Sequence, residues 1–399
     1  MPQERGSLRE FILLACLMAF FGDDKLFGQT PSRDAQIQAV SKLDFPDQKG
    51  WLGADDAYSI PLGQGRSLWL FGDTFIGPMA SSPRTASSSF IRNSIGITTC
   101  TAGKCAIEYY WAHMNTAKPD SMFSIPGLDW FWPMDGFVYN GTLYIALMQM
   151  HAAGTGAMGF AFSGTQIAVI PNYTAPPDQW SVTYQKLNTG GNAVPGVSIV
   201  VNHGKQGNPD PENPQGSSYA YFFTLVQGDT PSAQHLSLLR LPLKQLHAAT
   251  RPGRSTWEYL RSNSAWGRWP ANDTALPDDH AVVLKPGATE MSVRYHDSTK
   301  QWIAVYPSAS LKHAESAIST SMTHGWSQAT TLISYPEVQP SHQNYTPNVF
   351  CYAAKEHVEF ETEGQLVFTY ACNSMKENEL FEKTELYHPV VVTMPLPKM

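Results

Sequence analysis

The stretch Gly136-Phe-Val-Tyr-Asn-Gly-Thr-Leu-Tyr-Ile-Ala-Leu-Met-Gln-Met150 places two runs of aromatic and aliphatic residues on either side of Asn140-Gly141. An Asn-Gly pair strongly favours a two-residue hairpin turn, because both residues adopt a positive φ readily. The stretch therefore predicts two antiparallel strands, over residues 136–139 and 142–150, joined by a tight turn.

Similar apolar runs of five to ten residues recur along the chain, separated by Gly, Pro, Asn and Asp. They form five groups of about four runs each, which lie within residues 57–111, 136–187, 197–260, 290–333 and 349–394. Repeated four-strand groups without linkers predict an all-β fold, a five-bladed β-propeller. The last group has only three runs, so the run at residues 35–43 is expected to supply its fourth strand and close the ring.

The sequence leaves one alternative architecture open and gives little sign of helix. A pair of β-sandwiches is the alternative that these runs leave open. Only residues 243–249 suggest helix, and they are long enough for a short turn at most.

The composition excludes several classes of protein. The chain has 399 residues, with 27 Lys and Arg against 34 Asp and Glu, a formal charge of −7. Nucleic acid is a poor partner for such a chain, because phosphate binding needs a cationic face. The 30 Gly and 29 Pro exclude a coiled coil, and a hydrophobic content of 42% excludes disorder.

The first residues predict export. Arg5 and Arg9 precede an apolar run at residues 11–21, which is too short to span a bilayer comfortably. We expect residues 1–28 to be a signal peptide, residues 29–399 to form one propeller domain, and the protein to be secreted or periplasmic without stable membrane insertion. The alternatives are an uncleaved anchor or lipid attachment at Cys16.

Four cysteines remain in the expected mature chain. Their spacing favours local pairing, Cys100 with Cys105 across a Gly-containing turn and Cys351 with Cys372 on consecutive strands. The alternative, a zinc site, lacks its usual C-x2-C spacing and a nearby His.

No cofactor is expected. Gly154-Thr-Gly-Ala-Met-Gly159 matches the dinucleotide pattern G-x-G-x-x-G, but the residues after it favour a strand. Without a helix N-terminus, a pyrophosphate would lack its usual binding dipole.

Acidic residues recur where the innermost strand of each blade would start beside the central axis. Asp55, Asp135, Glu290 and the stretch Lys355-Glu356-His357 occupy these places, and Asp73 is similarly embedded among apolar residues. Such acids can also cap turns or accept backbone hydrogen bonds. Side chains at these places converge on one pocket, however, and buried acids there often do chemistry.

Two carboxylates in an aromatic cleft are what glycoside hydrolysis requires. We expect Glu290, beside apolar Met291, to be the general acid and Asp55 to be the base or nucleophile. Asp135 and Asp73 would hold charge or substrate. The alternative is that Trp51, Trp132 and the other aromatic residues only pack between blades.

Several motifs resemble the family catalogued as domain of unknown function 4185, over about residues 45–395. They are Gly53-Ala-Asp-Asp-Ala-Tyr-Ser-Ile-Pro-Leu62, Ser67-Leu-Trp-Leu-Phe-Gly-Asp-Thr-Phe-Ile-Gly77, Ile91-Arg-Asn-Ser-Ile95, Phe131-Trp-Pro, Gly141-Thr-Leu-Tyr144, Glu290-Met-Ser-Val-Arg-Tyr295, Tyr352-Ala-Ala-Lys355 and Tyr370-Ala-Cys-Asn373.

Members of that family with known activity are described as endo-D-arabinanases with a propeller fold. The resemblance implies a secreted glycosidase that cleaves a furanose-containing polysaccharide, D-arabinan above all, without a catalytic metal. The candidate substrate-binding residues are Trp51, Tyr58, Arg92, Asn93, Trp132, Arg294, Glu356 and Asn373.

One departure from the family and two rival functions remain open. The family usually has Gly after its first Asp, where this chain has Asp56, so either Asp55 or Asp56 points inward; we assign Asp55. The rivals are a propeller glycosidase of other specificity and a non-catalytic glycan-binding propeller. A sialidase is disfavoured, because no repeated Asp-box motif is present.

Overall fold

The computed structural model describes most of the chain after residue 42. The described ranges are residues 43–78, 83–101, 104–114, 116–154, 159–188, 191–201, 219–228, 233–246, 257–269 and 275–398. The predicted signal peptide and residues 35–42 of the predicted closing strand lie outside them. In the described ranges, no helix is long and apolar enough to cross a membrane.

Five antiparallel sheets, which we call blades 1 to 5, follow one another along the chain. Blade 1 contains β1 (Trp51–Gly63), β2 (Arg66–Ile76), β3 (Ser89–Ile91), β4 (Ser94–Thr101) and β5 (Lys104–Tyr110). Blade 2 contains β6 (Trp130–Tyr139), β7 (Thr142–Ala152), β8 (Phe160–Ile170) and β9 (Thr183–Asn188). Blade 3 contains β10 (Ala193–Val201), β11 (Tyr219–Val226), β12 (His235–Pro242), β13 (Glu258–Leu260) and β14 (Trp266–Arg268).

The last two blades complete the set. Blade 4 contains β15 (Ser292–His296), β16 (Gln301–Pro307), β17 (His313–Ser319) and β18 (Thr330–Ser334). Blade 5 contains β19 (Val349–Glu356), β20 (Gln365–Ser374) and β21 (Val390–Pro395).

The innermost strands close a ring around one axis. Strand β1 contacts β6, β6 contacts β10, β10 contacts β15, β15 contacts β19, and β19 contacts β1. This arrangement confirms the predicted five-bladed β-propeller. Blade 5 has three strands within the described residues. Leu43, just after the predicted closing run, is buried in a cluster with Val391 of β21 packed against it.

Inner strands are interrupted where they pass the axis. The pairing register shifts between Asp56 and Tyr58 in β1 and between Tyr352 and Lys355 in β19, and β6 and β10 have similar shifts. Such bulges add a residue to one strand and redirect its side chains. In β1, Asp56 and Ala57 both have φ 74°, a left-handed conformation that costs free energy for residues other than glycine.

Two local details differ from the sequence-based expectations. Strand β17 begins at His313, before the run at residues 317–323, because its pairing with β16 determines its start. An unexpected helix, α1 (Glu377–Glu382), follows β20. Its Glu379 accepts hydrogen bonds from Thr346, Asn348 and Ser374, two of which are distant in sequence and therefore invisible to a local pattern.

The structure contains both predicted disulfides, Cys100–Cys105 between β4 and β5 and Cys351–Cys372 between β19 and β20. They close loops of different length, with sequence separations of 5 and 21 residues. A disulfide restricts the unfolded chain more strongly when it closes a longer loop.

We therefore expect the double variant Cys351→Ser, Cys372→Ser to lose about 3 kcal/mol of unfolding free energy, against about 2 kcal/mol for Cys100→Ser, Cys105→Ser. Chemical denaturation of both variants measures the difference. Equal losses, or a larger loss for the shorter loop, would contradict this account.

Candidate active site

A cleft of about 600 Å³ opens where the inner strands enter the axis, and every blade contributes to its lining. Asp55 comes from β1 and Asp73 from β2, while Trp132 comes from β6. Glu290 lies just before β15, and Tyr352 lies in β19. The propeller thus brings together side chains that are up to about 300 residues apart in sequence.

Asp55 is held by two phenols. Its Oδ2 accepts hydrogen bonds from the hydroxyls of Tyr352 at 2.6 Å and Tyr387 at 3.1 Å. Burial raises the pKa of Asp55, while the two phenols and the charge of Lys355 oppose that rise. Because a phenol donates to a carboxylate, the two phenols offset part of the effect of burial and fix the orientation of Asp55.

Asp56 points to a buried cation instead. Its carboxylate forms an ion pair with the ammonium of Lys355, and both side chains are almost fully buried. The same ammonium donates to the carbonyl of Ala353 at 3.1 Å and lies 4.3 Å from the centre of the Tyr58 ring. Burial raises the pKa of Asp56 to about 7, although Lys355 lowers it. Asp56 thus anchors the cation beneath the cleft.

Glu290 is in a different environment. Among the described residues, no hydrogen-bond donor contacts its carboxyl group, and the neighbouring Met291 is fully buried. Burial, followed by the negative charge of Asp56, raises the pKa of Glu290 to about 8. A carboxyl group with this pKa is mostly protonated at neutral pH, so it can donate a proton to a bound molecule.

Asp73 is a further acid of the cleft lining. Its Oδ2 pairs with Arg92 Nη1 at 3.2 Å, and its Oδ1 accepts a hydrogen bond from Trp132 Nε1 at 2.9 Å. Burial and the charge of Asp55 raise its pKa to about 7. The guanidinium of Arg92 also lies 4.3 Å from the centre of the Trp130 ring, which fixes the position of this side chain.

Aromatic rings form much of the remaining wall. Phe160 meets Trp132 edge to face with ring centres 4.8 Å apart, and Phe350 lies beside Tyr352. Phe90 is 45% exposed at the rim. Asn373 also lines the cleft and donates to the hydroxyl of Tyr352 at 3.3 Å. Such rings can stack on the C–H faces of a sugar.

Three predicted substrate-binding residues do not line the cleft. Trp51 is fully buried and stacks on Tyr109 with ring centres 4.1 Å apart. Tyr58 is buried and donates to the carbonyl of Val197 at 2.8 Å. Asn93 is buried, and its amide hydrogen-bonds to backbone groups of two other segments. Trp51 therefore packs inside blade 1, whereas Tyr58 and Asn93 connect blade 1 to other blades.

Asp135, Arg294 and Glu356 are also absent from the cleft lining. Asp135 is fully buried on the axis, where its Oδ2 contacts Arg294 Nη1 at 2.9 Å and accepts the backbone N–H of Ile199 at 2.7 Å. Glu356 is buried at the far end of β19 and contacts His296. Within the described structure, these carboxylates connect inner strands to one another.

Two functional side chains escaped the sequence analysis. Tyr387 lies 332 residues after Asp55 in the sequence, yet its hydroxyl donates a hydrogen bond to the Asp55 carboxylate. Its backbone adopts a φ of 66°. Lys355 was given no role of its own from the sequence, although it neutralises Asp56. The short motif that contains both Tyr352 and Lys355 was the sequence signal that could have identified Lys355. No local pattern around Tyr387 indicated its role.

Gly72 leaves room for Asp55, which gives a test of this geometry. A Cβ at residue 72 would lie 2.5 Å from Asp55 Oδ1, in a backbone conformation that other residues tolerate. We expect Gly72→Ala to displace the Asp55 carboxylate and lower any activity of the cleft at least about tenfold, because misplaced catalytic groups are costly. Gly364→Ala is a comparison for lost stability alone, since that glycine lies outside the cleft and has a φ of 76°, which strains alanine even where space is open. Full activity of Gly72→Ala would contradict the placement of Asp55.

Several solved structures resemble this chain to different degrees. A putative hydrolase from Bacteroides ovatus ATCC 8483 superposes with a TM-score of 0.62 at 16% identity, over 87% of this chain and 86% of that chain. The GH43_1 enzyme from Xanthomonas citri, complexed with xylotriose, gives 0.42 at 12% identity, over 87% and 88%. The exo-beta-1,3-galactanase from Phanerochaete chrysosporium, with galactose, gives 0.43 at 10% identity, over 90% and 64%. The first superposition shows a shared fold.

The sequence itself matches one family model over most of its length. No curated protein matches it significantly. The matching model is not the family that the short motifs resembled, so the endo-D-arabinanase activity stays a prediction. The match covers residues 44–394, which include all of the propeller's strands except the last residue of β21, and every side chain of the cleft. On that match, the chain belongs to the family described as domain of unknown function DUF5005.

Proposed function

We propose that the protein is a glycoside hydrolase whose reaction takes place between Glu290 and Asp55. The observation that carries this proposal is the contrast between the two carboxyl groups in one cleft. Glu290 has a pKa raised to about 8 and no hydrogen-bond donor among the described residues. Asp55 accepts two phenol hydrogen bonds. Burial raises the pKa of both groups, but only Asp55 has donors that stabilise its carboxylate, and acid–base cleavage of a glycosidic bond needs one protonated and one ionised carboxyl.

The two groups then have distinct roles. Glu290 gives its proton to the glycosidic oxygen as the C–O bond breaks, so the leaving sugar departs as an alcohol. Asp55 either removes a proton from the attacking water or attacks the anomeric carbon itself, and in the second case water, deprotonated by Glu290, then cleaves the glycosyl–Asp55 ester and frees the carboxylate. Tyr352 and Tyr387 hold the Asp55 carboxylate in position through both steps. Asp73, fixed by Arg92 and Trp132, contributes negative charge beside the positive charge that develops on the sugar ring.

The charge of the cleft supports a neutral glycan as substrate. Its lining contains five acidic side chains, and Arg92 is the one cationic side chain among its described lining residues. The acids are Asp55, Asp56, Asp73, Glu290 and Glu377. That guanidinium already pairs with Asp73. A uronate or sialate would therefore meet uncompensated negative charge, which disfavours the sialidase alternative.

Among neutral glycans, the substrate that we propose is D-arabinan. Its support is the resemblance of the short motifs to the endo-D-arabinanase family, together with a cleft that has both aromatic walls and a carboxyl pair. The two disulfides support secretion, because such bonds persist in oxidising compartments. A non-catalytic glycan-binding propeller is the second candidate, and buried aromatic rings alone would suit it equally well.

A release assay separates these functions. The purified protein is incubated with D-arabinan, arabinogalactan, L-arabinan and xylan, and new reducing ends are counted. We expect release from a furanose-containing polymer, and from D-arabinan above the others. The double variant Asp55→Asn, Glu290→Gln is the control for contaminating enzymes. Binding of a polymer by the wild-type protein without release would favour the glycan-binding function and contradict the proposed hydrolysis.

The raised pKa of Glu290 predicts the pH dependence of this activity. The acid must be protonated, so kcat/KM should fall as the pH rises through about 8, the pKa of Glu290 in the free protein. Rates measured from pH 4 to 10 for wild type and Glu290→Gln test the assignment. The variant should lose the alkaline limb, because glutamine does not titrate. An alkaline limb that persists in the variant would assign it to another group.

A further inference from the structure

A second cluster of charged side chains lies at the opposite end of the axis from the cleft. His296 is the last residue of β15, and Glu356 is the last residue of β19. Glu361 lies on the turn that follows β19. One ligand atom from each of the three side chains falls within 4.8 Å of the others. Since Glu356 is four residues beyond Tyr352, the cluster lies roughly 13 Å from the cleft along the strand.

The hydrogen bonds of this cluster are incomplete. Glu356 is 2% exposed, and its Oε1 contacts His296 Nε2 at 2.5 Å. Its other oxygen, Oε2, is buried and has no hydrogen-bond partner in the structure. The carboxyl groups of Glu356 and Glu361 hydrogen-bond each other, which places a proton between them when no cation is bound. The unpartnered oxygen of Glu356 still costs free energy, and a cation bound there would remove that cost and replace the shared proton.

No cationic side chain among the described neighbours of the cluster supplies this positive charge. Arg294 already pairs with Asp135, at 2.9 Å. The negative charge of Glu359 adds to the charge on Glu356. The cluster thus combines an imidazole with several carboxylates and has no unpaired cation among the described residues in contact with it.

We infer that His296, Glu356 and Glu361 form a binding site for a divalent metal ion that links blades 4 and 5. One imidazole nitrogen with carboxylate oxygens is a donor set suited to Zn²⁺ or Mn²⁺, more than to Mg²⁺, which prefers oxygen ligands and water. An ion there would satisfy the free oxygen of Glu356 and separate the two carboxylates. The Glu361 side chain is 11% exposed, so the ion can enter from this rim.

The role of the ion is structural. Its ligands come from the ends of two neighbouring inner strands, and blade 5 is where the chain returns to blade 1. Because none of the three ligands lines the cleft, this inference does not depend on the proposed hydrolase activity.

Metal content and thermal stability test the site in the full-length protein. The protein is stripped with a chelator, dialysed, and titrated separately with Zn²⁺, Mn²⁺, Ca²⁺ and Mg²⁺. We expect one equivalent of Zn²⁺ or Mn²⁺ by elemental analysis after gel filtration. At a hundredfold excess over its Kd, the ion should raise Tm by about 4 °C. Absence of bound metal and an unchanged Tm with all four ions would overturn the site.

A pair of variants locates the ion. Glu361→Gln removes a ligand at the exposed rim, and we expect it to keep its circular dichroism spectrum while losing the bound metal and its effect on Tm. Glu363→Gln, an exposed neighbour outside the cluster, should bind metal like the wild type. Metal bound equally by Glu361→Gln and wild type, or lost equally by both variants, would overturn the assignment of these ligands. If Glu361→Gln does not fold, His296→Gln takes its place and should likewise lose the bound metal.

Discussion

Replacing Glu290 with Gln is expected to lower the hydrolysis of a natural glycosidic bond by ~10²–10⁴-fold, because glutamine keeps the shape of the side chain and removes its proton. The same variant should hydrolyse an activated aryl glycoside, such as a nitrophenyl arabinofuranoside, at close to the wild-type rate. The phenolate leaving group of that substrate departs without protonation. The ratio of the two losses therefore measures general acid catalysis directly.

Asp55→Asn provides the matched comparison. Asparagine cannot act as a base or nucleophile, so we expect Asp55→Asn to slow the hydrolysis of both substrates. The loss on each should be at least as large as the loss that Glu290→Gln causes on the natural substrate. Glu377→Gln, at an exposed residue of the same cleft, should leave both rates near wild type. A loss in Glu290→Gln that is equal for the two substrates would remove Glu290 from the acid role. The acid would then be sought among Asp73 and the other carboxyls of the axis.

Replacing Lys355 with Met is expected to have the largest effect on stability. The variant leaves Asp56 buried without its cation, and breaking a buried ion pair from one side costs about 3–5 kcal/mol. For a chain of this size, the loss corresponds to a fall in Tm of about 4–7 °C. The charge of Lys355 also lowers the pKa of Asp55. Its removal raises that pKa, so the acidic limb of the activity profile should move to higher pH.

Two further variants show whether the buried charge is the cause. The double variant Lys355→Met, Asp56→Asn removes both charges, and we expect it to recover part of the lost stability, because neutral partners need no compensation. Lys300→Met breaks a pair with Asp297 that is exposed at the surface, and its cost should be below about 1 kcal/mol. If Lys355→Met costs no more than Lys300→Met, Asp56 does not depend on that cation.

Asp56 illustrates what a local pattern cannot decide. The sequence left open whether Asp55 or Asp56 faces the cleft, since alternation along a regular strand puts only one of two neighbours on a given face. The bulge in β1 and the positive φ of Asp56 break that alternation. Asp55 therefore meets the phenols in the cleft, while Asp56 meets Lys355. Both depend on pairing with β2 and β19, which no local sequence pattern contains.

The aromatic residues show the same limit for substrate contacts. Trp51 and Trp132 both have uncharged neighbours in the sequence, and both were predicted to bind substrate. Only Trp132 lines the cleft, whereas Trp51 stacks on Tyr109 inside blade 1. Which ring reaches solvent depends on the position of its strand relative to the axis, and this is a property of the closed ring.

The sequence by itself determined the strand runs, the five groups, the hairpin turns and the disulfide pairs, because each depends on periodicity, turn chemistry or spacing within a few dozen residues. It also marked Asp55, Asp73 and Glu290, since acids embedded in apolar stretches stand out in any chain. Only the tertiary structure decided which acids share a cleft, that Tyr387 and Lys355 support them, and that Asp135 and Glu356 lie elsewhere on the axis. These outcomes depend on contacts between blades, where residues from distant parts of the chain meet and set each other's burial and charge.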